Sequence, residues 1–346
     1  MISPATTALA QTMDVNAYAV GSAATAVSIL GYSLLSTPAP GQVAGVEVEV
    51  WVNYLIERFW KDNQFLKHVY RDDQFVLAGK VVHIPQIGAK PEVIKNRSLF
   101  PATAVGRTDT EVNYSLDVYT TTPTHIQDAE NHELSYQKIE SVYGDHAASL
   151  NETIADDTII KWLTGLPGSA KMLTTGGSTA ATADDATGLR KLFLPADIRR
   201  VMTKFNKDGV PQNDRYIMPS ANMLDQLISS MSDTQYKDFS SYLDAKNGVI
   251  GKFMTFTFLD RSSTAVADST NSVKALGTLG AAGDNETTLL WQKDSLAAAI
   301  GDVKFFDNVN DPQYYGDIYS ALMRAGGRRR RADNKGIVQL TQDVAQ

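Results

Sequence analysis

The sequence predicts an α+β fold, and three observations carry that expectation. Apolar side chains recur at helical spacing over an unusually long stretch, residues 135–163. The spacing changes to two over 75–120, and 189–259 alternates short helix-like and strand-like runs. A chain of 346 residues has room for two ordinary domains, or for one with large insertions. With 43% apolar and 21% charged side chains it has the composition of a chain that packs a core.

Residues 1–46 have few bulky side chains, carry no Lys or Arg, are charged only at Asp14, and end in Pro38, Pro40, Gly41 and Gly45. Such a segment buries too little apolar surface to offset its own ordering entropy, so an arm lying on something else is expected. It lacks the basic start and dense apolar core of a secretory signal, since Ser28, Gly31 and Ser33 interrupt its apolar run. No stretch reaches the roughly 18 consecutive apolar residues of a membrane span, and a soluble protein is expected. Val48, Val52, Leu55, Phe59, Leu66 and Val69, widened by Trp51, Ile56 and Trp60, predict a core-packing helix within 47–74.

From Phe75 the pattern is strand-like. Phe75, Val76 and Leu77, then Val81 to Ile84, then Val93 and Ile94, are punctuated by Gly79, Pro85, Gly88 and Pro91. Residues 111–119 alternate polar and apolar, as in a half-buried antiparallel strand. A two-stranded ribbon is marginal alone in water, so this one needs a neighbour. Phe75, Val82, Ile84, Tyr114 and Leu116 are its candidates for a subunit interface. The long helix presents Ile139, Val142, Tyr143, Ala147, Leu150, Ile154, Ile159, Trp162 and Leu163 on one face and is stopped by Pro167 and Gly168. At 1.5 Å per residue it spans ~40 Å, more than twice the ordinary helix of ~11–12 residues.

Residues 167–188 and 260–288 are rich in Gly, Ala, Ser, Thr and Asp and read as long loops. Between them a helix is expected at 189–201, a buried strand at 214–219, a helix at 220–231 with Ser220 as N-cap, and a bent strand or strand pair at 248–259. After them come a strand at 287–291, a small helix at 295–300, a strand at 303–306, a helix at 315–324 and a strand at 336–340.

Chemistry-bearing patterns are few. With no cysteine, disulfides, Cys-ligated zinc, iron–sulfur clusters and thiol catalysis are excluded. The five histidines are His68, His83, His125, His132 and His146, and no HExxH occurs. In the cluster Asp128, Glu130, His132 and Glu133 only Asp128 and His132 would share a helix face, which is ordinary for a solvated helix start. Gly251-Lys252 runs into Phe253 and is not a P-loop. Gly277, Gly280 and Gly283 do not lie between a strand and a helix, as a dinucleotide fingerprint requires. There is no G-x-S-x-G. No catalytic residue, cofactor site or metal ligand is nominated.

The one local anomaly is basic. Arg324, Arg328, Arg329, Arg330 and Arg331 supply five of the chain's 32 Lys and Arg, in a protein of net charge −7. Two readings are open: contact with nucleic-acid phosphate, or ion pairs to acidic surfaces of neighbouring copies. The second is favoured, because arginines on a strand point alternately to its two faces.

The order of parts resembles the major capsid proteins of tailed bacteriophages, the Hong Kong 97 fold. Three places carry the likeness: Arg215-Tyr216-Ile217-Met218-Pro219 with the helix after it, the run from Gly248 to Phe256, and Leu289 to Ala297 followed by Tyr315-Gly316-Asp317 and a closing strand Ile337 to Leu340. Thr255 stands where that family often has Gly. The resemblance implies an N-terminal arm over 1–46, a helix leading into the E-loop over 47–74 and an E-loop over 75–120. It further implies a peripheral (P) domain with a spine helix over 121–188 and 287–346, and an axial (A) domain over 189–286. It implies a non-enzymatic shell subunit of a virion, assembled in the host cytoplasm as hexamers and pentamers around double-stranded DNA. Portal, scaffold or decoration proteins would be its other partners, DNA contact would be weak and non-specific, and no membrane or cofactor is involved. Some relatives join subunits by a Lys–Asn isopeptide bond; Lys80, Lys90 and Lys95 with Asn308 and Asn310 are the groups to consider, but no motif places them together and no cross-link is expected. The alternatives are an encapsulin-type compartment shell, a tail or sheath protein, or a metal or carboxylate hydrolase.

Overall fold

The computed structural model describes residues 63–76, 81–88, 90–98, 100–101, 104–127 and 138–345. The arm 1–46, the helix expected up to residue 62, Lys80, the acidic cluster 128–133 and the side chain of Ile139 lie outside the described residues.

In chain order, a 3-10 turn at Gln64–His68 leads into β1 (Tyr70–Arg71), a second turn at Asp73–Phe75 and the ribbon strands β2 (Val81–Gln86) and β3 (Thr110–Ser115). Then come β4 (Asp117–Thr120), β5 (Thr124–Gln127), the spine helix α1 (Lys138–Leu163), β6 (Lys171–Leu173), β7 (Ser178–Ala180) and β8 (Leu189–Lys191). The block that follows holds α2 (Pro195–Lys207), β9 (Arg215–Met218), α3 (Ala221–Ser230), α4 (Asp233–Ser240), β10 (Val249–Phe253), β11 (Phe256–Leu259) and β12 (Ala265–Ala267). The chain closes with β13 (Asn285–Gln292), β14 (Leu296–Ile300), β15 (Lys304–Asp311), β16 (Gly316–Arg329) and β17 (Ile337–Thr341).

Two sheets share the spine helix. In the six-stranded sheet β16 is the centre: β14 and β15 pair successive lengths of one of its edges, β4 and β5 the other, and β1 adds to β14. The seven-stranded sheet runs β10-β11-β9-β13-β17-β6, with β12 on β13. The middle of α1 lays Leu150 and Ile154 on Ala321, Met323 and Ala325 of β16. Its second half lays Ala155, Ile159, Trp162 and Leu163 in a core with Phe65, Val69 and one face of the seven-stranded sheet: Tyr216, Met218, Leu289, Trp291 and Ile337. The opposite face packs Ile217, Phe256, Phe258, Leu290, Val338 and Leu340 under α2, α3 and α4. At 26 residues α1 is ~39 Å long and backs most of the 14-residue β16. Lys161 ties it to β4, reaching Asp117 at 2.5 Å, Asp157 at 2.7 Å and the Tyr119 hydroxyl at 2.9 Å. Burial works against the Lys161 ammonium, but these hydrogen bonds outweigh it and hold its pKa above the usual lysine range.

Several expectations hold. The helix at 220–231 is α3, with the Ser220 hydroxyl accepting from the Met223 amide at 3.3 Å. The strand pair at 248–259 is the β10–β11 hairpin, and the expected strand at 81–84 pairs with the first part of the one at 111–119 as β2 and β3; the expected strand at 111–119 breaks at Leu116, and Asp117–Thr120 leaves the ribbon as β4, paired with β16.

Other expectations are corrected. The predicted helix at 315–324 is part of β16. Its apolar residues also fit a strand buried on one face, where Tyr319, Ala321, Met323 and Ala325 alternate with Ser320, Leu322 and Arg324. Just beyond this run Gly326 lets β16 pass close to the ribbon, since a Cβ there would lie 2.8 Å from the Ser115 carbonyl oxygen. The predicted helix at 295–300 is β14: its alanines are fully buried in the sheet, and tertiary contact overrides their helix propensity. The helix placed at 189–201 begins only at Pro195, after the short strand β8. Phe75 ends a 3-10 turn rather than a strand, Gln64 to His68 form a 3-10 turn rather than α-helix, and Val93 and Ile94 are in no strand. The two long loops contain β6, β7 and β12, and α4 was not anticipated.

Candidate assembly surface

The ribbon is anchored at its base and bare at its tip. At the base, Val82, Tyr114 and Leu116 are buried with Val76 and Ala299, and Ile84 packs beside them. This corrects three of the ribbon's interface candidates: the side chains of Val82, Tyr114 and Leu116 are used within the subunit. Phe75 is 43% exposed and Ile84 half-buried, so these two remain available to a neighbour. Polar contacts lock the base further. The Gln86 side-chain amide donates to the Arg330 carbonyl at 2.7 Å and accepts from the Ala332 amide at 3.3 Å. Arg328 donates to the Asn113 carbonyl, and the Tyr114 hydroxyl donates to the buried Asp72 carboxylate at 3.1 Å.

That carboxylate has a pH consequence. Burial pushes the Asp72 pKa up, against the Tyr114 hydrogen bond and the Arg330 charge, which pull it down. The folded state therefore holds the proton more tightly than the unfolded chain does. The associated stability is present below the ordinary carboxylate value and is lost as pH rises through the folded value. Asp72→Asn, which keeps an acceptor for Tyr114, is expected to raise the melting temperature at neutral pH. The gain should fade in acid, below pH ~4. Melting curves across that range check it; a variant less stable at neutral pH would mean that the attraction to Arg330 dominates.

Beyond Gln86 the ribbon exposes Ile87, Val93, Ile94, Phe100 and Val105, three of them above 80%. A second exposed apolar group lies on the β15–β16 hairpin: Phe305, Phe306, Val309, Tyr314 and Tyr315. Neither group was nominated from the sequence. Its available signal was ten large apolar side chains, five in each segment, lying among Pro, Gly, Asn and Asp.

The arginines are mostly engaged inside the subunit. They close β16 rather than open a strand, and they alternate between faces. Arg329 reaches the end of the spine helix, donating to the carbonyls of Trp162 (2.8 Å), Thr164 (2.7 Å) and Gly165 (3.3 Å) and to the Asn334 side chain (2.7 Å). Arg330 stacks over Tyr70 with 3.7 Å to the ring centroid, and Arg331 pairs with Asp333 at 2.8 Å. Arg324 alone of the five has an exposed side chain that makes no hydrogen bond or ion pair among the described residues.

Among the described residues no three His, Cys, Asp or Glu gather as metal ligands. His83 lies 3.1 Å from the Glu111 carboxylate. His146 lines a cavity of about 750 Å³ beside Thr120, Thr121 and Thr122. Burial pushes its imidazole pKa down, with Asp145 opposing. Gly277, Gly280 and Gly283 lie in a loop where Gly280 packs against the Asp184 carbonyl. No described helix is long and apolar enough to cross a membrane.

A subunit braced around one long helix, with its apolar surface carried outward on extensions instead of lining a pocket, is built to associate with others of its kind. Residues 109–344 match the family described as phage capsid protein. Similar solved structures are a chain of Mycobacterium phage Che8 (18% identity, TM-score 0.58, covering 86% of this chain and 98% of that one), the capsid of cyanophage P-SCSP1u (16%, 0.62, 88% and 98%) and the capsid of Ralstonia phage GP4 (12%, 0.59, 90% and 98%). No curated protein sequence matches the chain significantly. The chain belongs to the phage capsid protein family: it is a major capsid protein with the Hong Kong 97-like fold. The matching family is neither an encapsulin nor a hydrolase family.

Proposed function

We propose that this chain assembles through hexamers and pentamers into the icosahedral shell around the double-stranded DNA of a tailed phage, in the virion, after assembly in the host cytoplasm. The observation that carries this reading is the bare apolar tip of an otherwise anchored ribbon, a feature that costs a monomer solubility and gives an assembly its contact area. In this reading 75–120 is the E-loop, 121–188 and 287–346 the P domain and 189–286 the A domain, although β6, β13 and β17 complete the sheet that carries the A-domain helices. Phe75, Ile84 and Arg324 meet neighbouring copies. Portal, scaffold or decoration proteins are the remaining protein partners, and an acidic subunit contacts packaged DNA only weakly. The shell is held without catalysis or cofactor: Lys90 and Lys95 are solvated, and the Asn308 amide is engaged by Asp311 at 2.6 Å.

The test is expression of the full chain followed by size exclusion and electron microscopy. Closed particles or discrete rings are expected; a stable small oligomer under all assembly conditions would overturn the reading. Limited proteolysis adds a local readout. Free subunits should be cut within 87–109 and assembled ones protected, and equal cutting in both states would remove the ribbon from the contact.

A further inference from the structure

We propose that His146 is a proton-operated catch on the joint between the first half of α1 and strands β4 and β5, and that its protonation opens this joint. The inference concerns the single subunit and does not depend on the shell reading.

Three observations converge on it. First, His146 is only 7% exposed, and its Nε2 has no hydrogen-bond partner among the described residues. A neutral imidazole carries one donor and one acceptor nitrogen, whereas the imidazolium donates from both. Protonation in place would leave a buried cation whose Nε2–H meets no acceptor, a far costlier state than the neutral ring. Second, the ring lies beside unfilled space. A cavity of about 750 Å³ is lined on one side by Val142, Asp145, His146, Ser149 and Thr153 of α1 and on the other by residues 118–122 and Thr124. Tyr143 and Leu150 hold the adjoining face of the helix on Phe305, Tyr319 and the core of β16, while the face of His146 looks over the cavity. Third, Gly144 sits in the same turn, and a Cβ built there would meet nothing within 4 Å. No close packing requires a glycine at that position, and it weakens the helix relative to alanine.

The groups around the ring do not compensate a cation. Asp145, on the same helix, pulls the imidazole pKa up, but burial outweighs it and holds the pKa below its ordinary value. From β4 comes Tyr119, whose hydroxyl donates to Asp157 and accepts from Lys161 at 2.9 Å, and Asp117 is taken by Lys161 at 2.5 Å. The link to β5 brings Thr120, Thr121 and Thr122. β5 brings Thr124 and, next to it, His125, whose ring packs on Tyr314. Asp307 of β15 acts on Tyr143. An imidazolium therefore gains its solvation by separating α1 from β4 and β5. The closed joint binds the proton less readily than the open one. Its stability is complete above the ordinary imidazole value of about 6.5 and is lost as pH falls from there toward the lowered folded value.

Hydrogen exchange of the unassembled full chain tests it, read at the amides of 118–124 and 142–150 and divided by the intrinsic rate at each pH. Opening should rise by up to about tenfold per pH unit below pH ~6.5, the limit for one proton. His146→Gln, polar but unable to titrate, and His146→Leu, which suits a dry site, should each open to the same degree across that range. Opening that ignores pH in the parent, or that follows pH equally in the variants, would overturn the catch. His68, whose pKa burial also lowers, is the internal control. Its titration would register at 64–68 and 215–218, and acid-driven opening confined there would also overturn it. A second measurement needs no variant. In the unaltered chain, labelled at its histidine rings, the NMR signal of His146 should titrate below the ordinary imidazole value, and titration at or above that value would refute the proposal.

Discussion

Replacing Trp162 by alanine is expected to lower the stability of the unassembled subunit by about 3–5 kcal/mol, among the largest effects of any single truncation in the chain. Trp162 is fully buried near the C-terminal end of the spine helix. Its ring meets Phe65 edge-on, with centroids 6.0 Å apart, and its indole nitrogen donates to the Ala297 carbonyl of β14 at 3.0 Å. The residue therefore joins three parts distant in sequence: the turn before β1, the spine and strand β14 of the six-stranded sheet. Truncation leaves a cavity and takes the side-chain donor from a buried carbonyl, two costs that add. Trp162→Phe fills most of the space but cannot donate, and should fall between the two. Urea titrations of both variants give the order. A Trp162→Ala subunit within ~0.5 kcal/mol of the parent would mean that the spine does not organise the two sheets.

The spine was readable from sequence because its signal is long and local: Leu150, Ile154, Ile159 and Trp162 repeat at helical spacing over many turns, and all are buried. The ribbon's two strands and the N-cap at Ser220 were readable for the same reason, each resting on a few adjacent residues. β14 and β16 were not. Leu296-Ala297-Ala298-Ala299-Ile300 favours helix by local propensity, and only the space between the spine and the ribbon base makes it a strand. Such space is a property of the folded chain. The assembly surface divides along the same line. The length and period of the ribbon pointed to a neighbour. Which side chains face that neighbour depends on the depth of the ribbon's anchorage, and this moved Val82, Tyr114 and Leu116 inward and the solvent-facing Ile87, Val93 and Phe100 into view. The partners of the arginine cluster were not legible either, because charge density in sequence says nothing about carbonyl acceptors that the fold brings to Arg329.

Arg329 makes that last point testable. Arg329→Gln is expected to destabilise the unassembled subunit by about 2 kcal/mol, and so to impair assembly through folding. Its guanidinium takes up three carbonyls where the spine helix ends, a place where backbone acceptors otherwise go unpaired and the helix dipole is negative. Burial, and then the neighbouring Arg328, push its pKa down. The site thus bears a cost for the cation that the carbonyl contacts must exceed. Glutamine reaches less far and carries no charge. Arg329→Lys should recover little, since one ammonium cannot span acceptors on Trp162, Thr164 and Gly165 as a planar fork does. Arg324→Gln is the contrast: its side chain is exposed and has no partner among the described residues, so the change should leave the melting temperature of the free subunit unchanged and alter only particle formation. Thermal melts of unassembled subunits, run beside particle yields, separate the two residues. If Arg329→Gln melted with the parent and only particles were lost, Arg329 would be a contact to a neighbouring copy, as the sequence alone suggested, and the carbonyl contacts at the helix end would be incidental to it.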